Sequence, residues 1–331
     1  MYKILRKFLF LFPPELSQEI SHIFLKLFSW AYRFNQSPQI IKGLKVKNRL
    51  GVAAGLDKDG KLIKELDNLG FGFVEIGTVT PRPQMGNRKP RIHRLVKENS
   101  LLNSLGFPNE GLDAIKKRLK NTAKITCMGI NIGPNKDTPI DNMRDDYIKC
   151  YEELSEFADF VTINVSSPNT PELRQLQDQK FITEIVSLLV ESRNKSKKNP
   201  KIFIKLSPDE KDQTYLDVIK IVNQTHIDGV ILTNTSNNLQ LKSTLNVSSL
   251  EGGLSGKVLR NSSNKILRLV KEKLNEEKII VAVGGVFDVD SYYEKLDLGA
   301  DLVQIYTGFV YEGPNLVKKI IKHDKQKLSN S

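Results

Sequence analysis

The residues best suited to chemistry are asparagines, lysines and glycines that fall in short polar strings between apolar runs. An asparagine amide pairs a donor with an acceptor and can read a planar, amide-rich ligand. Lysines add positive charge, and glycines let backbone N–H groups approach a phosphate. The strings occupy residues 54–58, 77–81, 103–107, 131–133, 164–170, 205, 233–235, 284–285 and 306–308. Together they suggest a phosphorylated planar cofactor beside a small, anionic, amide-bearing substrate.

Each of these features has a plainer interpretation when it is taken alone. An asparagine at a strand end is often a turn former, and a glycine pair is often a tight turn. A lysine there is often a surface residue whose stem lies on apolar surface. Their joint occurrence in successive strings favours a binding site.

The elements that must position these strings follow a regular alternation. Eight β-rich apolar runs occupy residues 50–54, 73–79, 125–132, 160–165, 202–206, 229–233, 279–283 and 302–305. Amphipathic stretches between most of them occupy residues 60–69, 112–119, 182–190, 216–222, 265–274 and 291–298. This order predicts an α/β fold, a (β/α)8 barrel of the TIM type with its active site at the carboxyl ends of the strands. Residues 34–49 are predicted to be a linker into the first strand.

An open doubly wound sheet is the alternative architecture. It is disfavoured because no G-x-G-x-x-G string follows the first strand, and because polar strings end nearly every strand rather than one or two.

Residues 1–33 predict a small N-terminal extension of two short amphipathic helices, separated at Pro13 and Pro14. The longest apolar run covers residues 8–12, far short of the roughly 20 residues needed to span a bilayer. An apolar helix pair flanked by Lys and Arg is typical of an anchor lying on an anionic membrane surface. It is equally typical of a helix pair packed on its own domain, and the pattern leaves both interpretations open.

Composition limits the remaining function classes. With 39% hydrophobic and 27% charged residues, the 331-residue chain is neither a disordered protein nor a polytopic membrane protein. Two cysteines and four scattered histidines give no disulfide scaffold and predict no metal site. The first 50 residues hold nine basic and two acidic residues, so they carry +7 of the net charge of +12. The basicity is therefore mainly a property of the N-terminal segment.

Five strings carry a resemblance to a known family: GLDKDG at 55–60, EIGTVTP at 75–81, NVSSPNTP at 164–171, GGLSG at 252–256 and QIYTG at 304–308. They resemble dihydroorotate dehydrogenase, in colinear order from about residue 1 to about residue 320. The helical extension resembles the quinone-dependent, membrane-associated class 2. The resemblance implies an FMN enzyme of pyrimidine (UMP) biosynthesis that oxidises (S)-dihydroorotate to orotate and passes the electrons to a membrane quinone.

The same resemblance implies roles for individual residues. Ser167 corresponds to the catalytic base; class 1 enzymes place a cysteine there, and neither Cys127 nor Cys150 lies in this loop. The implied substrate-binding residues are Lys58, Asn103, Ser104, Leu105, Gly106, Phe107, Asn164, Asn169, Asn234 and Thr235. The implied cofactor-binding residues are Ala54, Gly55, Leu56, Asp57, Lys58, Thr78, Asn131, Asn164, Lys205, Thr233, Gly256, Gly285, Tyr306 and Thr307.

Within that set, Lys205 is expected near the N1–O2 edge of the flavin, and the phosphate on backbone amides of the Gly256, Gly285 and 306–307 loops. Thr170 and the region of Phe107 are expected to border a short proton relay. Ser104, Pro108 and Glu172 depart from the usual family pattern, which affects loop contacts more than substrate contacts. Four histidines match no functional position and are interpreted as structural or surface residues: His22, His93, His226 and His323.

Other functions fit these residues less well. A tRNA dihydrouridine synthase needs a cysteine in the active-site loop and an RNA-binding extension, and a class 1 enzyme using fumarate or NAD is disfavoured by Ser167. A nucleic-acid scaffold would spread its charge over a face with interleaved aromatic residues. We therefore expect residues 1–38 to form a membrane-contact and quinone-tunnel segment and residues 39–331 the catalytic barrel. We expect peripheral attachment to the cytoplasmic side of the inner membrane, with neither a nucleic acid nor an iron–sulfur partner subunit.

Overall fold

The computed structural model describes residues 2–34, 36–167, 169, 179–195 and 198–330, with only the backbone for 179 and 327–330. The strands are β1 (Gln39–Ile41), β2 (Leu44–Val46), β3 (Leu50–Val52), β4 (Phe73–Val79), β5 (Ile92–Leu95), β6 (Ser100–Asn103), β7 (Met128–Ile132), β8 (Phe160–Asn164), β9 (Lys201–Leu206), β10 (Gly229–Leu232), β11 (Gly253–Gly256), β12 (Ile279–Val283) and β13 (Leu302–Ile305). The helices are α1 (Tyr2–Leu9), α2 (Pro14–Phe28), α3 (Ile63–Asn68), α4 (Leu112–Lys120), α5 (Met143–Leu154), α6 (Gln179–Lys195), α7 (Asp212–Gln224), α8 (Leu239–Thr244), α9 (Arg260–Lys271), α10 (Val289–Asp297), α11 (Thr307–Glu312) and α12 (Pro314–Asn330).

A closed parallel barrel forms the centre of the fold. Its strands follow one another in the order β3, β4, β7, β8, β9, β10, β12 and β13, and β13 pairs with β3. Every residue of β4, β8, β10, β12 and β13 is buried. Helices cover the outer face and side chains fill the interior, so these strands are buried along their whole length and mostly apolar rather than alternating. The predicted (β/α)8 barrel is therefore confirmed.

The linker predicted for residues 34–49 is wrong, because β1 and β2 pair there as an antiparallel hairpin. Lys42 and Gly43 both have positive φ, 45° and 84°, as a two-residue hairpin turn of type I′ requires. Ile41 and Leu44 flank the turn and are buried in the cluster that fills the barrel. The hairpin thus closes the end of the barrel where the strands begin.

Three phenylalanine rings fill that end of the barrel interior. Phe160 lies between Phe73 and Phe203, with ring centroids 6.1 Å and 5.2 Å away. A Cβ on Gly51 would lie 2.3 Å from the ring of Phe73, and one on Gly129 would lie 2.0 Å from the ring of Phe160. The two glycines therefore leave the space that the rings occupy.

A second sheet, in the order β11–β6–β5, lies over the opposite end, where the barrel strands finish. The alternation of strands and helices does not predict this sheet. It joins two connections that are far apart in the chain, since Asn103 on β6 pairs with Gly253 on β11. Asn103 thus ends a strand and is held in register over the barrel.

The N-terminal segment forms the two predicted helices, and the break at Pro13 and Pro14 is confirmed. The Tyr2 hydroxyl donates to the carbonyl oxygen of Val310 (2.6 Å), which ties α1 to α11. The Arg94 guanidinium on β5 donates to the carbonyl oxygen of Phe12 (2.8 Å) and to Ser17 Oγ (2.7 Å). One side of the helix pair is therefore bound to the barrel domain.

The other side of the helix pair is apolar and exposed. Ile4 is 75% exposed and Trp30 is 63% exposed. The remaining exposed apolar residues of this face are Phe8, Leu11, Leu16, Ile23, Phe24, Leu27 and Phe28. The packed-pair interpretation therefore holds for the inner side, whereas the membrane-anchor interpretation stays a prediction for the exposed side. Within the described ranges, no helix is long and apolar enough to cross a bilayer.

Candidate active site

A single cavity runs from the carboxyl ends of the barrel strands to the inner side of α1 and α2. Among the described residues that line it, Lys58, Arg94 and Lys205 carry positive charge, and none is a carboxylate. A cavity of this composition favours anionic ligands.

Asparagine side chains at neighbouring strand ends form one hydrogen-bonded cluster. Asn164 Nδ2 donates to Thr78 Oγ1 (3.0 Å) and to Asn131 Oδ1 (3.1 Å). Asn234 Nδ2 donates to Asn164 Oδ1 (3.2 Å) and to Ser166 Oγ (3.0 Å). Because the amides restrain one another, they present fixed donors and acceptors to a bound ring. The parallel strands place these side chains at the same end of the barrel.

A buried carboxylate, to which the sequence motifs assign no role, lies beneath this cluster. Glu75 on β4 is fully buried; its Oε1 accepts from Asn131 Nδ2 (2.8 Å), and its Oε2 accepts from Gln304 Nε2. Gln304 lines the cavity, and its buried Oε1 has no hydrogen-bond partner among the described residues. An unpartnered buried acceptor facing a cavity fits a ligand that donates a hydrogen bond. Glu75 begins the EIGTVTP string, so a charged residue within a mostly apolar strand was the sequence feature that could have indicated its role.

Two lysines bring charge to the site in different ways. Lys205 is 5% exposed; burial lowers the pKa of its ammonium, and the nearby Glu75 opposes that shift. Burial, followed by the charge of Arg91, lowers the pKa of Lys58 to about 8, while Asp59, Asp57 and Glu15 raise it. Lys58 Nζ donates to the carbonyl oxygen of Gly55 (2.8 Å). An ammonium in each position can bind an anion that enters the cavity.

Ser167 lines the cavity beside Asn103 and Asn169, two of the asparagines expected to bind the substrate. Its Oγ accepts from the backbone N–H of Asn169 (3.3 Å), and Asn169 Nδ2 donates to Asn103 Oδ1 (3.2 Å). Asn169 Oδ1 is buried with no hydrogen-bond partner among the described residues. Ser167, Asn103 and Phe107 thus meet on one wall of the cavity. Thr170 and Glu172 lie outside the described residues.

Glycine loops form a second wall. Gly256 has φ of +104° and Gly285 has φ of +78°, in the region that glycine tolerates best. A Cβ on Gly285 would lie 2.5 Å from Arg260 Cα, so only glycine lets this loop pack closely. Ser255 Oγ and Thr307 Oγ1 lie 2.8 Å apart in the same region. Loops and hydroxyls of this kind suit a phosphate group.

The structure brings most of the expected site residues to this one cavity. The lining residues from the expected set are Ala54, Gly55, Leu56, Lys58, Thr78, Asn103, Leu105, Gly106, Phe107, Asn164, Ser167, Asn169, Lys205, Thr233, Asn234, Thr235, Gly256, Gly285, Tyr306 and Thr307. Three others lie outside the lining: Asp57, Ser104 and Asn131. The Asp57 carboxylate accepts from the backbone N–H groups of Lys61 (2.8 Å) and Leu62 (2.7 Å). Ser104 lines a neighbouring groove, and Asn131 lies behind Thr78.

His22 is a lining residue that the family motifs did not indicate. It lies on α2 and lines the cavity, and its interpretation as a structural or surface residue stays a prediction. Burial, and then Lys58, Lys26 and Lys61, lower its pKa to about 4, so the imidazole is neutral near pH 7. Gln18, Ser21 and Leu25 line the cavity with it at helical spacing. Polar residues within a largely apolar helix were the sequence feature that could have indicated this side of α2.

Comparisons with known proteins agree with this geometry. A family model described as dihydroorotate dehydrogenase matches residues 38–328. A relative from Christiangramia forsetii is 43% identical, covering 97% of both chains, and one from Proteus mirabilis is 41% identical, covering 97% of this chain and 99% of the relative. Both are named dihydroorotate dehydrogenase (quinone). The crystal structure of DHODH from Eimeria tenella in complex with ferulenol has a TM-score of 0.86 and 31% identity, covering 96% of this chain and 92% of that one. This chain belongs to the dihydroorotate dehydrogenase family, in its quinone-dependent class 2.

Proposed function

We propose that this protein oxidises (S)-dihydroorotate to orotate, with FMN as its bound cofactor and a membrane quinone as the final electron acceptor, in pyrimidine biosynthesis. The observation that carries the proposal is the single cavity. It joins Ser167, the asparagine cluster and the glycine loops to the inner side of the N-terminal helices. A substrate, a cofactor and a lipid-soluble acceptor could all reach one space.

Flavin is the cofactor general to this family, and the residues present fit FMN in particular. The loops at Gly256, Gly285 and Thr307 offer backbone N–H groups and a hydroxyl to a phosphate. Gln304 Oε1 offers the unpartnered acceptor, and Lys205 offers a cation to an electron-rich ring edge. When bound, the flavin supplies the two-electron chemistry by accepting a hydride from C6 of the substrate.

The substrate is a six-membered ring that carries amide groups and a carboxylate, and oxidation of its C5–C6 bond makes the ring planar. The side-chain amides of Asn103, Asn164, Asn169 and Asn234 match the ring amides, and the ammonium of Lys58 matches the carboxylate. Ser167 Oγ accepts the proton that leaves C5 and passes its own hydroxyl proton to the proposed relay bordered by Thr170 and Phe107. The hydride leaves C6, so the product is orotate. The other proposed contacts are the backbone and side chains of Leu105, Gly106, Phe107 and Thr235.

Residues 1–38 are proposed to contact the membrane and to admit the quinone, while residues 39–331 form the catalytic barrel. The exposed apolar side of α1 and α2 would enter the headgroup region, and the basic residues around it would face anionic lipid. The inner side, with Gln18, Ser21 and His22, already lines the cavity. The proposed location is the cytoplasmic side of the inner membrane, without a nucleic acid or an iron–sulfur partner subunit.

The test is to purify the full chain, identify its cofactor and follow the two half-reactions separately. We expect bound FMN, bleaching of its absorbance by dihydroorotate without oxygen, and reoxidation by ubiquinone or menaquinone analogues. Fumarate and NAD should not reoxidise it. A protein that binds FMN but is not reduced by dihydroorotate would refute the proposed substrate. Faster reoxidation by fumarate than by any quinone would refute the acceptor.

A further inference from the structure

Lys295 is a charged residue buried outside the active-site cavity. It lies on α10, it is 1% exposed, and its Nζ donates a 2.5 Å hydrogen bond to Ser263 Oγ on α9. The neighbouring carboxylate of Glu294 pairs instead with Arg260 (2.7 Å). Burying an ammonium costs free energy unless an opposite charge compensates for it. The position therefore calls for an anion nearby.

A short chain of contacts leads from this ammonium to the cavity. The Ser263 hydroxyl can donate to the carbonyl oxygen of Gly284 (3.3 Å) or of Arg260 (3.2 Å), and a Cβ on Gly284 would lie 3.2 Å from the same Oγ. Gly284 and Gly285 follow β12 and line the cavity, whereas Lys295 does not. The ammonium therefore lies directly behind the glycine pair, two hydrogen bonds from its backbone.

The cavity wall at this point lacks a cation of its own. The residues that the glycine loops contribute to the lining are neutral: Ser255, Gly256, Gly284, Gly285, Tyr306 and Thr307. The lining cations come from other strand ends and from β5. A phosphate monoester carries a charge of about −1.5 to −2 near pH 7. Neutral N–H groups carry only partial positive charge, so a full cation behind them would add to the compensation.

We propose that Lys295 is a positioning residue for the cofactor phosphate: its buried ammonium compensates the phosphate charge from behind the glycine pair and holds that pair through Ser263. The inference rests on the proposed FMN site. Burial, reinforced by Arg260 and opposed by Glu294, lowers the pKa of Lys295 to about 7. A dianion in front of the loop would favour the charged form.

The experiment compares the affinities of deflavinated protein for FMN and for riboflavin, which lacks the phosphate. We expect Lys295→Met to weaken FMN binding on the order of 30-fold, as a charge pair at intermediate range predicts, and to leave riboflavin binding unchanged. Lys295→Gln can still bond Ser263 but has no charge, and we expect the same loss. Lys265→Met, at an exposed position on α9, is the matched control. Thermal unfolding of each apoprotein checks the fold, which a Lys-to-Met change in a core often preserves.

The outcomes separate this inference from the proposed cofactor. If the wild-type protein binds FMN no more tightly than riboflavin, the phosphate site is wrong. If the wild type prefers FMN and both Lys295 variants keep that preference, only the role of Lys295 is wrong. Lys257 lies over the Phe287 ring at 5.4 Å and is the competing source of charge. A lost preference in Lys257→Met, with none lost in Lys295→Met, would assign the charge to the surface and overturn the inference.

Discussion

The barrel rim and the N-terminal helix pair meet at one cavity but are built in opposite ways. At the rim, polar side chains such as Asn131 and Asn164 are buried and bonded to one another. On the helix pair, large apolar side chains such as Phe8 and Leu27 are exposed, and a few contacts such as Tyr2–Val310 hold it to the barrel. The rim is buried and polar, and the helix pair is exposed and apolar.

The contrast follows from the work each region would do. Positioning a ring for reaction needs groups that are fixed before the ligand arrives, because reorganisation would raise the barrier. Admitting a lipid-soluble molecule needs an apolar surface beside the membrane and a segment that can move apart from the rim. Changes at the rim should therefore alter chemistry, and changes in the helices should alter access.

The largest effect is expected at the rim, from Ser167→Ala. Removal of the proposed base should lower kcat by about 10²–10⁴-fold, the usual contribution of a general base. FMN content should stay the same, because the glycine loops and Gln304 are untouched. Stopped-flow reduction of the flavin by dihydroorotate measures the effect. Ser187→Ala, at an exposed position on α6, is the control. Undiminished reduction would place the base elsewhere.

Deleting residues 1–33 should have the opposite effect to Ser167→Ala, because it should spare reduction of the flavin and impair its reoxidation by quinone. Reduction by dihydroorotate should continue, while turnover with a long-chain quinone in vesicles should fall by roughly tenfold or more, because the enzyme is no longer held beside its acceptor. Flavin retention serves as the check on folding. If the truncated and full chains turned over a lipid quinone equally fast, the proposal that the N-terminal helices admit the quinone would be wrong.

Lys58 stands where the two regions meet, and it predicts a pH dependence. Its pKa of about 8 means that the ammonium loses its proton as the pH rises through that value. An anionic substrate binds the protonated form, so its affinity should be full below pH 8 and fall by up to about tenfold per pH unit above it. Spectral titration of the holoenzyme with orotate measures this. Lys58→Met should show weak, pH-independent binding over the same range; a steep pH dependence in that variant would assign the titration to another group.

Glu75→Gln tests how strongly the rim is preorganised. The new NH2 group would face Asn131 Nδ2 or Gln304 Nε2, which are both donors. One bond would therefore be lost unless the Gln304 amide turned over, which would remove the Oε1 acceptor that it presents to the cavity. We expect a loss of about 1–3 kcal/mol in the free energy of unfolding, together with weaker flavin binding. Glu276→Gln at an exposed position should change neither. Denaturant unfolding of the wild type and of Glu75→Gln measures this difference. Equal free energies of unfolding would mean that the hydrogen bonds of Glu75 do not hold the rim rigid.

The smallest effect on stability is expected from Leu27→Ser on α2, where the side chain is 59% exposed. The free energy of unfolding should change by less than about 0.5 kcal/mol. Sedimentation with anionic vesicles should weaken, because less apolar surface enters the membrane. Leu239→Ser is the matched control, since Leu239 is 72% exposed but lies on α8. Equal loss of vesicle binding in both variants would show that the helix pair has no special part.

Sequence pattern predicted the barrel closely. The apolar runs at 73–79, 279–283 and 302–305 coincide with β4, β12 and β13, because parallel strands buried on both faces are mostly apolar along their whole length. The hairpin at 39–46 was missed although its alternation and its Lys-Gly turn are visible, since a short segment of this kind also reads as a linker. Its burial depends on the barrel end that it closes.

Local pattern alone indicated the barrel strands, the polar strings at the strand ends and the amphipathic helices, because each depends on a few neighbouring residues. Only the tertiary structure determined which of these elements and side chains contact one another. The pairing of β6 with β11, the turn of His22 toward the cavity and the bonding of Glu75 to Gln304 join residues far apart in the chain. Such contacts depend on how the elements pack. The sequence thus identifies the parts of the site, and packing determines that one charged cavity contains them.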